Sequence, residues 1–148
     1  MGCLTSAVLS FLIVTSANAQ TLHTPKPGSA ERQAICDAAR AFVLGKYAEK
    51  ALPQPIVFKV GHLVVAGPYA NMEAVPLLKD GRYAAPEYLP DIGFNFCLRQ
   101  SGTQWQVIAD LSRSDVPDAG EVALIRSRLP EEFPRALLTP DWQKLLGE

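Results

Sequence analysis

The chain holds little of what enzymes use for chemistry. Its 148 residues include two histidines, three cysteines and two tryptophans. No pair among Cys36, Cys97 and His62 has the close ligand spacing of a zinc site. There is no Gly-rich phosphate loop, no Gly-x-Ser-x-Gly nucleophile elbow and no basic-aromatic stripe. Fourteen Lys and Arg against fifteen Asp and Glu leave a formal charge of −1. That balance argues against nucleic acid and against an anionic membrane surface as partners. No cofactor and no metal are expected on these grounds. Long helices are disfavoured as well, because twelve prolines favour several short elements.

The amino-terminal segment lacks charged side chains of either sign. Residues 1–19 contain no Asp, Glu, Lys or Arg, carry an apolar run over 7–14 and end in Ala17-Asn18-Ala19. An apolar run closed by a small-x-small site is the build of a secretory signal peptide, although the usual basic residue ahead of the run is missing. The run is too short to cross ~30 Å of hydrocarbon, so no membrane span is expected after processing. Cys3 stands before the run rather than directly after it, and is expected to leave with the peptide. The mature chain then begins at Gln20, in the periplasm or secreted. Residues 20–28 read as a flexible, extended arm, and residues 29–148 as a single domain. Cys36 and Cys97 remain. An even pair in an oxidising compartment is read as a disulfide, and closing so long a loop is worth about 4 kcal/mol in the loop-entropy model.

Periodicity outlines the domain. Ser29 caps a helix with Glu31 in its first turn, and Ile35, Ala38, Ala39, Phe42, Val43 and Tyr47 form its apolar stripe. Ile56, Phe58 and Val60 alternate as a strand. After Gly61-His62 the inward positions shift to Leu63 and Val65, the mark of a β-bulge. Gly67-Pro68 turns into a second strand, with Ala70, Met72 and Ala74 on one face. Ile92, Phe94, Phe96 and Leu98 make a third strand, and Trp105, Val107 and Ala109 a fourth, joined through Ser101-Gly102-Thr103. Pairing Leu98 with Trp105, Phe96 with Val107 and Phe94 with Ala109 gives one apolar face. It also points Cys97 away from that face, which opposes the disulfide if the helix covers the phenylalanines. Asp118 and Glu121 have the spacing of a capping box, ahead of Val122, Ile125 and Leu129. Thr139-Pro140-Asp141 opens a last helix with Trp142, Leu145 and Leu146 as its packing residues. The fold class is α+β: an N-terminal helix on a curved four-stranded antiparallel sheet, followed by short C-terminal helices.

Few residues qualify for a site. His62 is the one imidazole outside the arm, and becomes a general base if a carboxylate orients it. Asp110, at the end of the fourth strand, is a partner for it; a strand histidine facing solvent is the plainer reading. Asp110, Ser112, Ser114, Asp118 and Glu121 fall on oxygen positions of a calcium loop, but Asp115 occupies the place of its hinge glycine. The connection over residues 79–91 is longer than most hairpin loops. Its Tyr83, Pro86 and Tyr88 offer rigid contact surface for binding, unless the tyrosines fold back over the sheet edge.

Pro27-Gly28-Ser29-x-Glu31-Arg32-x-Ala34-Ile35 opens the helix, Trp105-Gln106-Val107 lies in the last hairpin, and Asp115-Val116-Pro117 follows. Across residues 25–120 this pattern resembles small exported bacterial proteins of uncharacterised function in the cystatin/NTF2-like group. The resemblance implies a helix packed on a curved antiparallel sheet and carries over no catalytic residue. The leading expectation is a periplasmic or secreted non-catalytic protein that binds an unidentified protein or small molecule, with a homodimer also compatible. One alternative is a small NTF2-like isomerase or hydrolase with a conical pocket around His62 and Asp110. Another is an inhibitor of an extracellular hydrolase, the loop serving as its wedge. An open pocket holding His62 and Asp110 favours the enzyme, and a filled cone with a protruding loop favours the binder.

Overall fold

In the structure, a computed structural model describing residues 20–50, 55–84, 89, 92–113 and 115–147, the first helix starts where its cap dictates. The Ser29 hydroxyl accepts the Arg32 N–H at 3.3 Å, and α1 runs over Ala30–Lys46 with Glu31 at its positive end. Ile35, Ala39 and Val43 are its buried residues, and Ala38, Phe42 and Tyr47 pack partly buried beside them. Four strands follow: β1 (Ile56–Ala66), β2 (Tyr69–Leu78), β3 (Phe94–Ser101) and β4 (Gln104–Asp110). They pair antiparallel in chain order, β1-β2-β3-β4. Two short helices, α2 (Ala119–Arg128) and α3 (Pro140–Gly147), close the chain, with a 3-10 turn at Arg135–Leu137 between them. The α+β architecture is therefore the one expected.

Both faces of the sheet are covered. Toward α1 point Leu63, Val65, Ala70, Met72, Ala74, Phe94, Phe96, Leu98 and Trp105. Phe42 meets Phe96 edge-on at 5.3 Å, and Phe94 stacks on Phe96 at 5.4 Å. Leu89, from the long connection, is buried in the same cluster. The opposite face carries Ala66, Tyr69, Cys97 and Ala109. Over it lie Ile125, Leu129, Phe133, Leu137, Leu138, Trp142 and Leu146. The second core thus comes mostly from the C-terminal segment.

Two bulges set which residue faces which layer. In β1 the pairing passes from Val60↔Ala74 to His62↔Glu73, leaving Gly61 as the extra residue. Phe58 and Val60 before it, and Leu63 and Val65 after it, all reach the α1 face, as the shift in parity predicts. A second bulge lies in β4, where Cys97 pairs with Ala109 but Leu98 with Val107, leaving Ile108 extra. The expected hairpin register is corrected: Leu98 faces Val107 rather than Trp105, and Phe96, beyond the bulge, faces Asp110 rather than Val107. The cause is the turn, which is only Gly102-Thr103, with Gly102 at φ +61° and Ser101 paired to Gln104. The bulge lets β4 serve both layers, with Trp105 and Val107 toward α1 and Ile108 and Ala109 toward the C-terminal segment.

The Cys36–Cys97 disulfide is not formed, and both thiols are free. Cys36 packs in the α1-side cluster while Cys97, fully buried, belongs to the other, so the sheet stands between them. The alternation of β3 decides this against the compartment rule. The arm is corrected too. It is extended, but tied down: His23 forms an antiparallel bridge with Val65, at 3.0 and 2.8 Å. The His23 ring contacts Glu31 at 2.9 Å, and Arg32 donates to the Pro25 carbonyl at 3.3 Å. The signal-peptide segment, residues 1–19, lies outside the described residues. Among the described residues no helix is long and apolar enough to cross a membrane.

Candidate functional site

Polar residues on a covered sheet face need partners, because burial strips them of water. The C-terminal face of the sheet buries two such residues, Asn71 on β2 and Asn95 on β3, and carries the exposed Glu73 on β2 beside them. Cross-strand pairing sets His62, Glu73 and Asn95 in one row, and Asn71 opposite Cys97 in the next. Asn71 is fully buried, and its Nδ2 donates to Asn95 Oδ1 at 2.8 Å and to the Phe96 carbonyl at 3.0 Å. Its Oδ1 has no partner among the described residues. Asn95 is fixed on every side: its N–H donates to Ser112 Oγ at 3.0 Å, its carbonyl accepts the Leu111 N–H at 2.7 Å, and its Nδ2 lies 3.4 Å from Glu73 Oε2. Ser112 is held in turn by its N–H to Asp110 Oδ1 at 2.9 Å.

Glu73, Asn95 and Ser112 floor an open groove of about 690 Å³. One wall is the β4–α2 connection, with Val116 and Pro117. The other is α3, with Asp141, Trp142, Lys144 and Leu145. The volume falls in the range of ~300–1,000 Å³ typical of small-molecule sites. Gly93 lines the groove without a side chain to obstruct it. Val116 stands 85% exposed at the lip, while Trp142, at 8%, is largely sunk into the wall. The Arg113 guanidinium is engaged by Glu121 at 3.4 Å and by the Ser112 carbonyl at 2.8 Å. Glu73 keeps its carboxylate exposed, with the long contact to Asn95.

A smaller hollow of about 160 Å³ adjoins it, lined by Lys59, Gly61, Glu73, Tyr83 and Gly93 among others. Glu73 and Gly93 belong to both, so the surface runs from Trp142 to Tyr83. Tyr83 follows a tight turn after β2: the Leu78 N–H donates to the Arg82 carbonyl at 2.8 Å, and Leu77 bridges Tyr83. The backbone folds back on β2, yet the residue stays 65% exposed. Pro86 and Tyr88 lie outside the described residues.

The expected His62–Asp110 pair does not exist. β1 and β4 are opposite edges of the sheet, about 14 Å apart at the usual strand spacing. His62 Nε2 donates to the Leu137 carbonyl at 2.8 Å and pins the 3-10 turn to β1. Asp110 faces the other layer, where Lys46 Nζ donates to its Oδ2 at 2.7 Å. Burial opposes the Lys46 ammonium, but the Asp110 hydrogen bond and charge outweigh it and raise its pKa. The carboxylate across from His62 is Glu73. Neither thiol is an activated nucleophile: burial pushes Cys97 up to about 12, and burial raises Cys36 as well. The calcium-loop pattern dissolves into a helix cap. The Glu121 N–H donates to Asp118 Oδ1 at 2.8 Å, and the Asp118 N–H to Glu121 Oε2 at 3.1 Å. Among the described residues no three His, Cys, Asp or Glu side chains are grouped to hold a metal.

Glu73, Asn95 and Trp142 were not singled out as site residues by the sequence pattern, and Ser112 was noted only as an oxygen position of the calcium loop. The available signal was Asn95, a polar residue set between Phe94 and Phe96, with Glu73 at matching parity on β2. Comparison of the chain with protein-family models, with curated proteins and with solved structures gives no match.

Proposed function

We propose that the protein is an exported, non-catalytic binding protein that takes a small amphiphilic ligand in the groove between the sheet and α3. One observation carries this: an exposed carboxylate, Glu73, and a rigidly held amide, Asn95, lie at the floor of a groove walled by Trp142, Leu145, Val116 and Pro117. A ligand with an amine or other strong hydrogen-bond donor would meet Glu73, with its apolar body against the walls. The absence of catalysis is supported by the engagement of His62 and Asp110 in separate structural contacts and by the protonated thiols. It is also supported by the α1 side of the sheet, where Ile35, Val43, Phe94 and Phe96 are fully buried and fill the place of a conical pocket. Export is supported by the composition of residues 1–19. The helix-on-sheet layer is the arrangement that cystatin/NTF2-like proteins would share. Exposed Tyr83 favours a second reading, contact with a protein partner such as an extracellular hydrolase.

The test is a thermal-shift and calorimetric screen of residues 20–148 against small amines, amino acids and short peptides, with Glu73→Gln in parallel. A charge-assisted hydrogen bond is worth about 1.5–3 kcal/mol, so the variant should bind a hit at least about tenfold more weakly. Its unliganded melting temperature should be unchanged, because Glu73 is exposed. Hits indifferent to Glu73→Gln, or none at all, would place function elsewhere.

A further inference from the structure

The first described residue has a seat. A Cβ placed on Gly67 would lie 3.0 Å from both Cδ and Nε2 of the Gln20 side chain and 3.2 Å from its Oε1. The amide therefore rests on the β1–β2 turn, on ground left open because position 67 is glycine, at φ +54°. Register explains the placement. The arm runs antiparallel to β1, with His23 opposite Val65. Each residue back along the arm advances one along β1, so Gln20 arrives at Gly67-Pro68. Gln20 thus lies at the end of the β1–β2 hairpin and is itself exposed to solvent.

We propose that the exported protein begins at Gln20 and that this residue closes on itself as pyroglutamate, so that the arm docked on β1 ends in an uncharged lactam. The inference rests on the export reading, with cleavage after Ala19. Cleavage frees the α-amine of a glutamine, whose side-chain carbonyl carbon lies at the distance that makes a five-membered ring. The amine nitrogen attacks Cδ, a Cδ–N bond forms, and the Cδ–Nε2 bond breaks. The amine proton departs with Nε2 as ammonia. Nothing is oxidised or reduced, and no co-reactant is needed. The lactam removes the one positive charge that processing creates. It also denies an aminopeptidase the free amine it requires, at the start of the segment that the His23–Val65 bridge and the His23–Glu31 contact hold on the domain.

The protein is recovered from the medium or periplasm of cells expressing the full chain, then weighed intact and sequenced from its N-terminus. The expected mass is that of residues 20–148 less one ammonia. Sequencing should be blocked until pyroglutamyl aminopeptidase is added, and then read from Thr21. Gln20→Ala, which cannot cyclise, should show an unblocked N-terminus and faster aminopeptidase trimming. A free amine on Gln20 overturns the inference while leaving export intact, as does cleavage at another residue. Recovery of the chain with residues 1–19 still attached overturns the export reading, and this inference with it.

Discussion

Replacing Asn71 and Asn95 by leucine, singly and together, probes how the C-terminal layer seats on the sheet. Asn71 is fully buried, Asn95 is 6% exposed, and the 2.8 Å bond from Asn71 Nδ2 to Asn95 Oδ1 joins them. Asn71→Leu strips Asn95 Oδ1 and the Phe96 carbonyl of a donor. A buried polar group left without its partner costs about 1–3 kcal/mol, partly offset because the unpartnered Asn71 Oδ1 also disappears. A net loss of roughly 2 kcal/mol follows for Asn71→Leu. Asn95→Leu should lose a similar amount, since Asn71 Nδ2 keeps only the Phe96 carbonyl as an oxygen acceptor. The double variant removes both halves of the bond at once. Replacing both partners by apolar groups of similar shape is close to neutral, so it should lose about 1–2 kcal/mol less than the sum of the singles. Urea unfolding followed by tryptophan fluorescence and circular dichroism measures all four corners of the cycle, with m-values checked for constancy. Strict additivity, with each single variant within a few tenths of a kcal/mol of the parent, would refute a buried bond between these amides.

Other consequences are as direct. Cys97, pushed up to about 12 by burial, should resist alkylation in the folded protein at pH 8, whereas both thiols should react after denaturation. Its folded pKa lies above the unfolded value of ~8.5, so this contribution is fully present below pH ~8.5. It is lost at about 1.4 kcal/mol per pH unit as pH rises toward 12, and Cys97→Ala should flatten that alkaline decline. Trp142→Ala, at a side chain 8% exposed, should lower stability by about 3–5 kcal/mol in the same urea assay and strip the groove of a wall. Gly61→Ala should be neutral or stabilising by about 0.4–1 kcal/mol, because the new methyl meets only the Glu73 carbonyl at an ordinary 3.9 Å. Gly67→Ala should be destabilising, since position 67 has φ +54°, and the methyl would also press the Gln20 amide off its seat.

Local chemistry was legible wherever one residue decided the outcome. Ser29 and Asp118 marked helix starts because their side-chain oxygens accept free N–H groups of the first turn. The Gly61 bulge was legible because polar and apolar positions exchange places across it. The Ile108 bulge was not. Val107, Ile108 and Ala109 are all apolar, and a strand that feeds cores on both faces tolerates either parity. Strand alternation placed Cys97 opposite the helix-covered face and was correct, while the compartment rule for cysteine pairs carries no geometry. Glu73 and Asn95 could not be read as a site because the groove walls beside them come from residues far along the chain, which no strand pattern encodes. His62 and Asp110 could be matched only while the strand order was open; as edges of one sheet, they cannot meet. The bridge from His23 to Val65 is likewise a long-range contact that a proline-bearing arm does not advertise.

The central claim is that ligand enters the groove and meets Glu73. Nitrogen-labelled protein of residues 20–148, titrated with the tightest-binding amine from the screen, tests it by chemical-shift mapping. The account predicts shifts concentrated on the Asn95 side-chain amide, the Ser112 backbone and the Trp142 indole N–H, and their disappearance in Glu73→Gln. Shifts confined to Tyr83 and the turn before it, with Asn95 and Trp142 unmoved, would contradict it.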